Sequence, residues 1–211
     1  MPNQTFRIQT TLSKDCEFPE VLNFTVGCTA DLDDSEGPIV PSPTGVEAIG
    51  RLSGFLVDQG YLPDENQEGY AEIFDARSGH ADQAYRLLVT KRALIGNALP
   101  GSRLLETGSA VAHLERVWVH RQHRGQGLAL RLMREARHLF GRYGLLVMLR
   151  AYPDGDEVDT DQVLRLADYY ASDRSLGLEH LSRKQLPGWL VAHWEAPEAA
   201  DGDGLCWQAA G

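Results

Sequence analysis

The sequence predicts a mixed α/β fold of the α+β class, with one central sheet flanked by helices. Residues 22–31 (LNFTVGCTAD) alternate apolar and polar side chains, which is typical of a strand that buries one face. Residues 111–149 have the pattern strand, helix, strand with a short turn at each junction. Such a unit is a right-handed crossover, so its two strands should lie parallel in the sheet.

The first hundred residues predict two strands and a helix. After the strand at 22–31, residues 32–46 are rich in proline, glycine and acidic residues and should form a loop, and 47–57 fit a second strand. Ser78 can cap a helix over 79–90. The apolar positions of that helix recur at spacings of three and four: Ala81, Ala84, Tyr85 and Leu88.

The crossover unit begins with the strand 111–119 (VAHLERVWV), followed by the turn HRQHRGQG. Gly141 and Gly144 should end the helix that follows the turn, and the apolar run at 145–149 (LLVML) is typical of a strand buried on both faces. The apolar stripe predicted for the helix consists of Leu128, Leu132, Ala136, Leu139 and Phe140.

The last part of the chain predicts a helix at 162–172 and a closing hairpin of strands 178–182 and 189–194. The helix should bury Val163, Leu166, Ala167 and Tyr170 on one face. We expect a single domain over 1–195, whereas the tail 196–211 has little periodicity and should be loosely ordered.

Composition narrows the classes of function. A net charge of −10 argues against non-specific nucleic-acid binding, which depends on lysine and arginine. No apolar run approaches the ~20 residues that a membrane helix needs, and the start lacks a signal-peptide pattern, so we expect a cytoplasmic protein without a membrane partner. The cysteines Cys16, Cys28 and Cys206 form no CxxC pair and should be reduced thiols.

The charge is unevenly distributed along the chain. Residues 116–150 carry eight arginines and one acidic residue, Glu135, a net charge of +7 that leaves −17 for the rest. A confined basic segment in an acidic protein suggests a small anionic ligand, although a solvated helix face would give the same pattern.

The turn RGQGLA, Arg124 to Ala129, is suited to a phosphate or pyrophosphate. Backbone N–H groups at a helix N-terminus have no partner within the helix, and the helix dipole adds positive charge there. Gly125 and Gly127 would let the backbone approach the ligand, and Arg124 adds a fixed charge. By itself, a glycine pair before a helix is also found in ordinary permissive turns.

The whole string LERVWVHRQHRGQGLALRLM, Leu114 to Met133, resembles the central motif of the GNAT acetyltransferase family, R/Q-x-x-G-x-G/A. Here the motif residues are Arg124, Gly127 and Ala129. The resemblance covers residues 111–182 well and the first hundred only loosely. It implies the GNAT fold, a mixed and mostly antiparallel sheet with the parallel crossover around the coenzyme A turn.

The resemblance also implies transfer of an acetyl group from acetyl-CoA to a primary amine, by direct transfer in a ternary complex. The backbone N–H groups of Gly125, Gln126, Gly127, Leu128 and Ala129 would hold the CoA pyrophosphate, and Arg124 would add its charge. The main chain of Val117, Trp118 and Val119 would pair with the pantetheine arm as an added strand does. The expected partners are therefore acetyl-CoA and an unidentified amine, with homodimerisation left open and no metal.

Candidate catalytic residues follow from the chemistry of acyl transfer, which needs a proton for the departing thiolate and a neutral amine. The resemblance points to Tyr170 as the acid, with Tyr169 as the alternative because the step to Gly177 is longer than usual. His113 and Glu115, two apart on the strand before the turn, are candidate bases. Packing is the alternative role for Tyr170, and a solvated or satisfied polar role for His113 and Glu115.

Other motifs fit less well. A dinucleotide fingerprint would need glycine at Leu130 and an acid at Arg150, and no Gly-Lys-Ser/Thr follows the glycines as a P-loop requires. The acidic loops depart from a calcium loop at Glu36 and Val158. The remaining alternative is a non-catalytic module that binds or senses acyl-CoA on the same fold.

Overall fold

The computed structural model describes residues 6–30, 48–57, 67–100, 110–141, 144–153 and 158–195. Within these ranges one sheet of seven strands carries five helices. The strands are β1 (Phe6–Lys14), β2 (Val21–Ala30), β3 (Ala48–Val57), β4 (Val111–Val119), β5 (Leu145–Arg150), β6 (Glu179–Ser182) and β7 (Leu186–Trp194). The helices are α1 (Gln67–Asp75), α2 (Gly79–Thr90), α3 (Arg92–Ala98), α4 (Leu128–Phe140) and α5 (Thr160–Ala171).

The strand order is β1-β2-β3-β4-β5-β7-β6, and every pairing is antiparallel except that of β4 with β5. Helix α4 connects these two parallel strands, as a crossover requires. The predicted α+β class, the mixed sheet and the parallel crossover are therefore confirmed.

Apolar side chains fill both faces of the sheet. One core lies between the sheet and α4 and α5, and includes Leu132, Phe140 and Trp194. The other lies between the sheet and α1, α2 and α3, and includes Phe55 and Phe74. Strand β5 contributes alternate residues to each core, which explains why its sequence is apolar throughout.

Most predicted elements are present with small shifts at their ends. Ser78 caps α2 as predicted, because its hydroxyl accepts the N–H of Ala81 at 3.1 Å. Asp159 caps α5 in the same way, so that helix begins two residues earlier than predicted. Leu139, predicted to lie on the apolar stripe of α4, is instead 41% exposed, and Met133 is buried there.

The sequence prediction missed β1, α1 and α3. β1 is an edge strand whose exposed and half-buried side chains give a weak alternation, and α3 has only seven residues with Gly96 inside it. The predicted loop 32–46 and the tail 196–211 lie outside the described residues.

Candidate acyl-CoA site

The glycine turn lies between the end of β4 and the start of α4. A short 3-10 turn at Arg121–His123 is followed by Gly125 and Gly127, whose φ angles are 74° and 75°. Gly127 is the N-terminal cap residue of α4. An L side chain at either position would be strained, so this backbone path requires glycine.

Open space surrounds both glycines: a Cβ atom added at either would have no other atom within 4 Å. The backbone of the turn is therefore accessible to a ligand, and the positive end of the α4 dipole faces it. Arg124 ties the turn to the preceding strand, since its Nε donates to the carbonyl of Val119 at 3.1 Å.

Strand β4 changes its pairing halfway along its length. Its ladder with β3 shifts register so that Ser53 pairs with Arg116 and Gly54 with Leu114, which leaves Glu115 as the extra residue of a β-bulge. The parallel ladder with β5 covers only Val111–Leu114 opposite Leu146–Leu149. Beyond Leu114, β4 therefore separates from β5, and the described strands leave its β5-facing edge open.

The bulge also reverses which residues face which core. Before it, Ala112 and Leu114 pack in the core beneath α4 and α5, whereas after it Val117 and Val119 pack there. The two valines thus point toward the start of α4, next to the open strand edge. By the same alternation Trp118 points away, with its ring 6.2 Å from that of His120.

A cleft of about 570 Å³ joins the turn, the open edge of β4 and one face of α5. It contains the two predicted tyrosines and seven of the nine predicted CoA-binding residues; Trp118 and Gln126 are absent from the lining, as are His113 and Glu115. The lining consists of Val117, Val119, His123, Arg124, Gly125, Gly127, Leu128, Ala129, Tyr152, Pro153, Gln162, Arg165, Leu166, Tyr169 and Tyr170.

The sequence predicts only part of the α5 contribution to the cleft. Gln162, Arg165 and Leu166 precede Tyr169 by seven, four and three residues, so they lie on the same helix face. This spacing could have identified them once Tyr169 was a candidate. Tyr152 and Pro153 come from the loop after β5 and have no such periodic signal.

The two tyrosines differ in environment. Tyr170 is 6% exposed and packs in the core while also lining the cleft, whereas Tyr169 is 37% exposed. Their ring centroids are 5.6 Å apart. Partial burial raises the pKa of Tyr169. The charge of Arg134 lowers this pKa by a smaller amount, and the charge of Asp173 raises it further.

His113 lies on the opposite face of the sheet. It is 1% exposed, its ring contacts those of Phe55, Phe74 and Trp189, and neither ring nitrogen has a hydrogen-bond partner. Burial lowers its pKa to about 4, with a smaller contribution from His80. This environment favours the packing role over that of a base.

Glu115, the extra residue of the bulge, is half-buried. Burial raises the pKa of its carboxyl group, and Arg77 lowers it by a smaller amount. Burial of this carboxyl group thus disfavours its charged form. Glu115 lies at the point where β4 leaves β5.

Within the ranges that the structure describes, no group of three or more His, Cys, Asp or Glu side chains could hold a metal ion. The helices among those residues are too short or too polar to cross a bilayer.

Comparison with known proteins gives one family and two structural neighbours. No curated protein matches the chain. The Arabidopsis thaliana NAA60 structure, a complex with a bisubstrate analogue, aligns at 12% identity and TM-score 0.35, covering 82% of this chain and 76% of its own. A tyrosine-to-phenylalanine mutant of KacT aligns at 12% sequence identity and TM-score 0.34, and the alignment covers 82% of this chain and 71% of the KacT chain.

The family model described as acetyltransferase (GNAT) family matches residues 32–158, more than half of the 211 residues. The matched segment contains β4, the glycine turn, α4 and β5, which together build most of the cleft. The chain belongs to the GNAT family of acetyltransferases.

Proposed function

We propose that this protein is an acetyl-CoA-dependent N-acetyltransferase that acts on a primary amine by direct transfer in a ternary complex. The observation that carries the proposal is the cleft, which brings together an anion-binding helix start, an open strand edge and two tyrosines. These three features match the three parts of an acyl-CoA: pyrophosphate, pantetheine amides and thioester.

Each part of the ligand has residues suited to it. The N–H groups from Gly125 to Ala129 would hold the pyrophosphate, where the absence of a Cβ at two positions leaves the backbone uncovered. The main chain of β4 at Val117 and Val119 would pair with the pantetheine amides. The bound acetyl-CoA supplies a thioester, whose C–S bond breaks as the amine nitrogen forms a C–N bond.

The chain's own side chains would move the protons. We assign Tyr170 as the acid, with its Oη–H donating the proton to the departing thiolate. Tyr170 is the more buried of the two tyrosines in the cleft. We assign Glu115 rather than His113 as the group that takes the amine proton, since His113 is enclosed by aromatic rings.

Thermal-shift titration with acetyl-CoA tests the binding half of the proposal. Ligand at ~100 times its Kd should stabilise the fold by about 2.7 kcal/mol, or about 5–10 °C in Tm. Gly127→Leu should abolish this gain because its side chain would enter the cleft. The positive φ at Gly127 means that the ligand-free Tm should fall as well.

Gly177→Leu is the matched control. Gly177 also has a positive φ, 61°, and open space around its Cβ, but it lies outside the cleft. The two variants should lose similar ligand-free stability, and only Gly177→Leu should keep the acetyl-CoA shift. No shift with wild type would contradict the proposed function.

Release of free CoA in the presence of a panel of amines tests the catalytic half. Tyr170→Phe should lower kcat about 100-fold, the contribution typical of general acid catalysis, with the acetyl-CoA shift retained. Tyr169→Phe should lower kcat by a smaller factor. If acetyl-CoA stabilises the protein but no amine accelerates CoA release, the non-catalytic acyl-CoA-binding alternative is the correct one.

A further inference from the structure

Arg150 ends β5 on the face of the sheet opposite the acyl-CoA cleft. Leu146 and Met148, four and two residues earlier, pack in the core beneath α1, α2 and α3, and the alternation of the strand places Arg150 on the same side. Its register partner on β7 is Trp189, which belongs to that core. Arg150 itself is half-buried.

Among the described residues, the partners of the Arg150 guanidinium are neutral. Its Nη1 donates to Oε1 of Gln83 at 2.9 Å, and its Cζ lies 5.4 Å from the ring centroid of Tyr152. Its Nε is buried and has no hydrogen-bond partner. Among the residues that the structure describes, no carboxylate pairs with Arg150, although the chain carries 30 acidic residues.

Three other arginines of the described residues form ion pairs with carboxylates. Arg77 pairs with Asp15, Arg134 with Asp173 and Arg183 with Asp168. A partly desolvated guanidinium without a counter-ion is costly, and it keeps unused donors in a planar fork that matches a carboxylate. Arg150 therefore differs from these three arginines, because no described carboxylate balances its charge.

The position of Arg150 connects it to the cleft. The last paired residues of β4 and β5 are Leu114 and Leu149, so the strands separate immediately before Arg150. Tyr152 lines the cleft and also lies against Arg150. A molecule bound at Arg150 would thus approach the cleft from the face opposite α4 and α5, through the gap between the two strands.

Within the described ranges, His80 and Asp82 are titratable groups near Arg150. The ring of His80 lies 5.7 Å from that of Tyr152, and burial, followed by the charge of Arg150, lowers the pKa of His80 and so disfavours its charged form. Asp82 is paired with Arg86. One fixed positive charge suits a singly charged carboxylate better than a dianionic phosphate.

We propose that Arg150 binds the carboxylate of the acceptor, and that the acceptor is therefore a small primary amine that also carries a carboxylate, as an amino acid does. The inference rests on the proposed acetyltransferase function and names its substrate class. Arg150 is a specificity-determining residue in this assignment: it holds the acceptor while its amine faces the gap between β4 and β5.

The test compares amino acids with their own carboxamides as acceptors, with CoA release as the measurement. Wild type should acetylate the acid with a kcat/KM about 10- to 100-fold higher than that for the amide, the range expected for a charge-assisted hydrogen bond. Arg150→Gln should remove this preference by lowering kcat/KM for the acid alone. Arg150→Lys should restore part of it.

Two controls separate this role from a structural one. Arg86→Gln removes the same charge from an exposed position on α2 and should keep the preference. Arg150→Gln should retain the wild-type acetyl-CoA thermal shift, because Arg150 does not line the cleft.

The outcomes distinguish the two proposals. If amines are acetylated but acid and amide react equally, or if aminoalkyl phosphates exceed the amino acids, the Arg150 assignment is wrong and the acetyltransferase function stands. If no acetyl-CoA shift or no acetylation of any amine occurs, the proposed function fails and the Arg150 assignment fails with it.

Discussion

Single residues in this protein carry out tasks that their type alone does not reveal. Gly125 and Gly127 provide both a left-handed backbone and an uncovered surface, whereas Gly177 shares both features in a place away from the cleft. His113 has a side chain suited to catalysis, yet it is enclosed by aromatic rings. The surroundings of each residue decide its role.

His113 should make the stability of the fold depend on pH. Its pKa is about 4 in the folded protein and about 6.5 when unfolded, so the unfolded chain binds the proton more tightly. Stability is therefore complete above pH ~6.5 and is lost as the pH falls toward 4, by on the order of 3 kcal/mol. Chemical denaturation of wild type and His113→Leu across this range measures the effect.

His113→Leu should lose less stability on acidification than wild type, because leucine cannot take up the proton. At pH 7 the variant should be as stable as wild type, since an apolar side chain replaces two unpaired ring nitrogens. His138→Gln, at an exposed histidine of α4, should follow the wild-type curve. Equal pH dependence in wild type and His113→Leu would contradict the assignment.

At the scale of elements, the site depends on how β3 and β4 pair. The bulge at Glu115 turns Val117 and Val119 toward α4 and coincides with the end of the β4–β5 ladder. Gly54 pairs with Leu114 beside the bulge. A Cβ at Gly54 would collide with the carbonyl oxygen of His113 and would lie 2.7 Å from Cζ of Phe24.

Gly54→Ala should therefore destabilise the protein by about 1–3 kcal/mol, because a backbone atom must move to admit one methyl group. It should also weaken the acetyl-CoA thermal shift, since the displaced backbone belongs to β4. Gly27→Ala in β2 is the control: its nearest contact would be the carbonyl of Gln9 at 3.8 Å, so little change is expected. Denaturant and thermal melts of both variants, with and without acetyl-CoA, measure the loss of stability and the acetyl-CoA shift. Equal losses in Gly54→Ala and Gly27→Ala would contradict a role for the close contact between Gly54 and the backbone of His113.

At the scale of the whole molecule, the two proposed binding sites lie on opposite faces of one sheet. The cleft lies with α4 and α5, Arg150 lies with α2, and the gap between β4 and β5 connects them. This arrangement suits a complex in which both substrates are present at once.

Steady-state kinetics with both substrates varied should give intersecting double-reciprocal lines, because the acceptor is expected to attack while acetyl-CoA is still bound. A dead-end analogue of the acceptor should not compete with acetyl-CoA, since the two occupy different faces. Parallel lines would instead indicate an acylated enzyme and would contradict direct transfer.

The sequence alone determined the α+β class, the crossover, the Ser78 cap and the glycine turn, because these follow from local periodicity and from backbone rules that act over a few residues. Of the nine residues predicted from the sequence to bind CoA, seven line the cleft, since they lie on one continuous segment. Only the tertiary structure decided the bulge at Glu115, the enclosure of His113, the surroundings of Tyr169 and Tyr170, and the unpaired charge of Arg150. Each of these depends on which distant strands and helices pack together, and residues far apart in the chain leave no periodic signal of that contact.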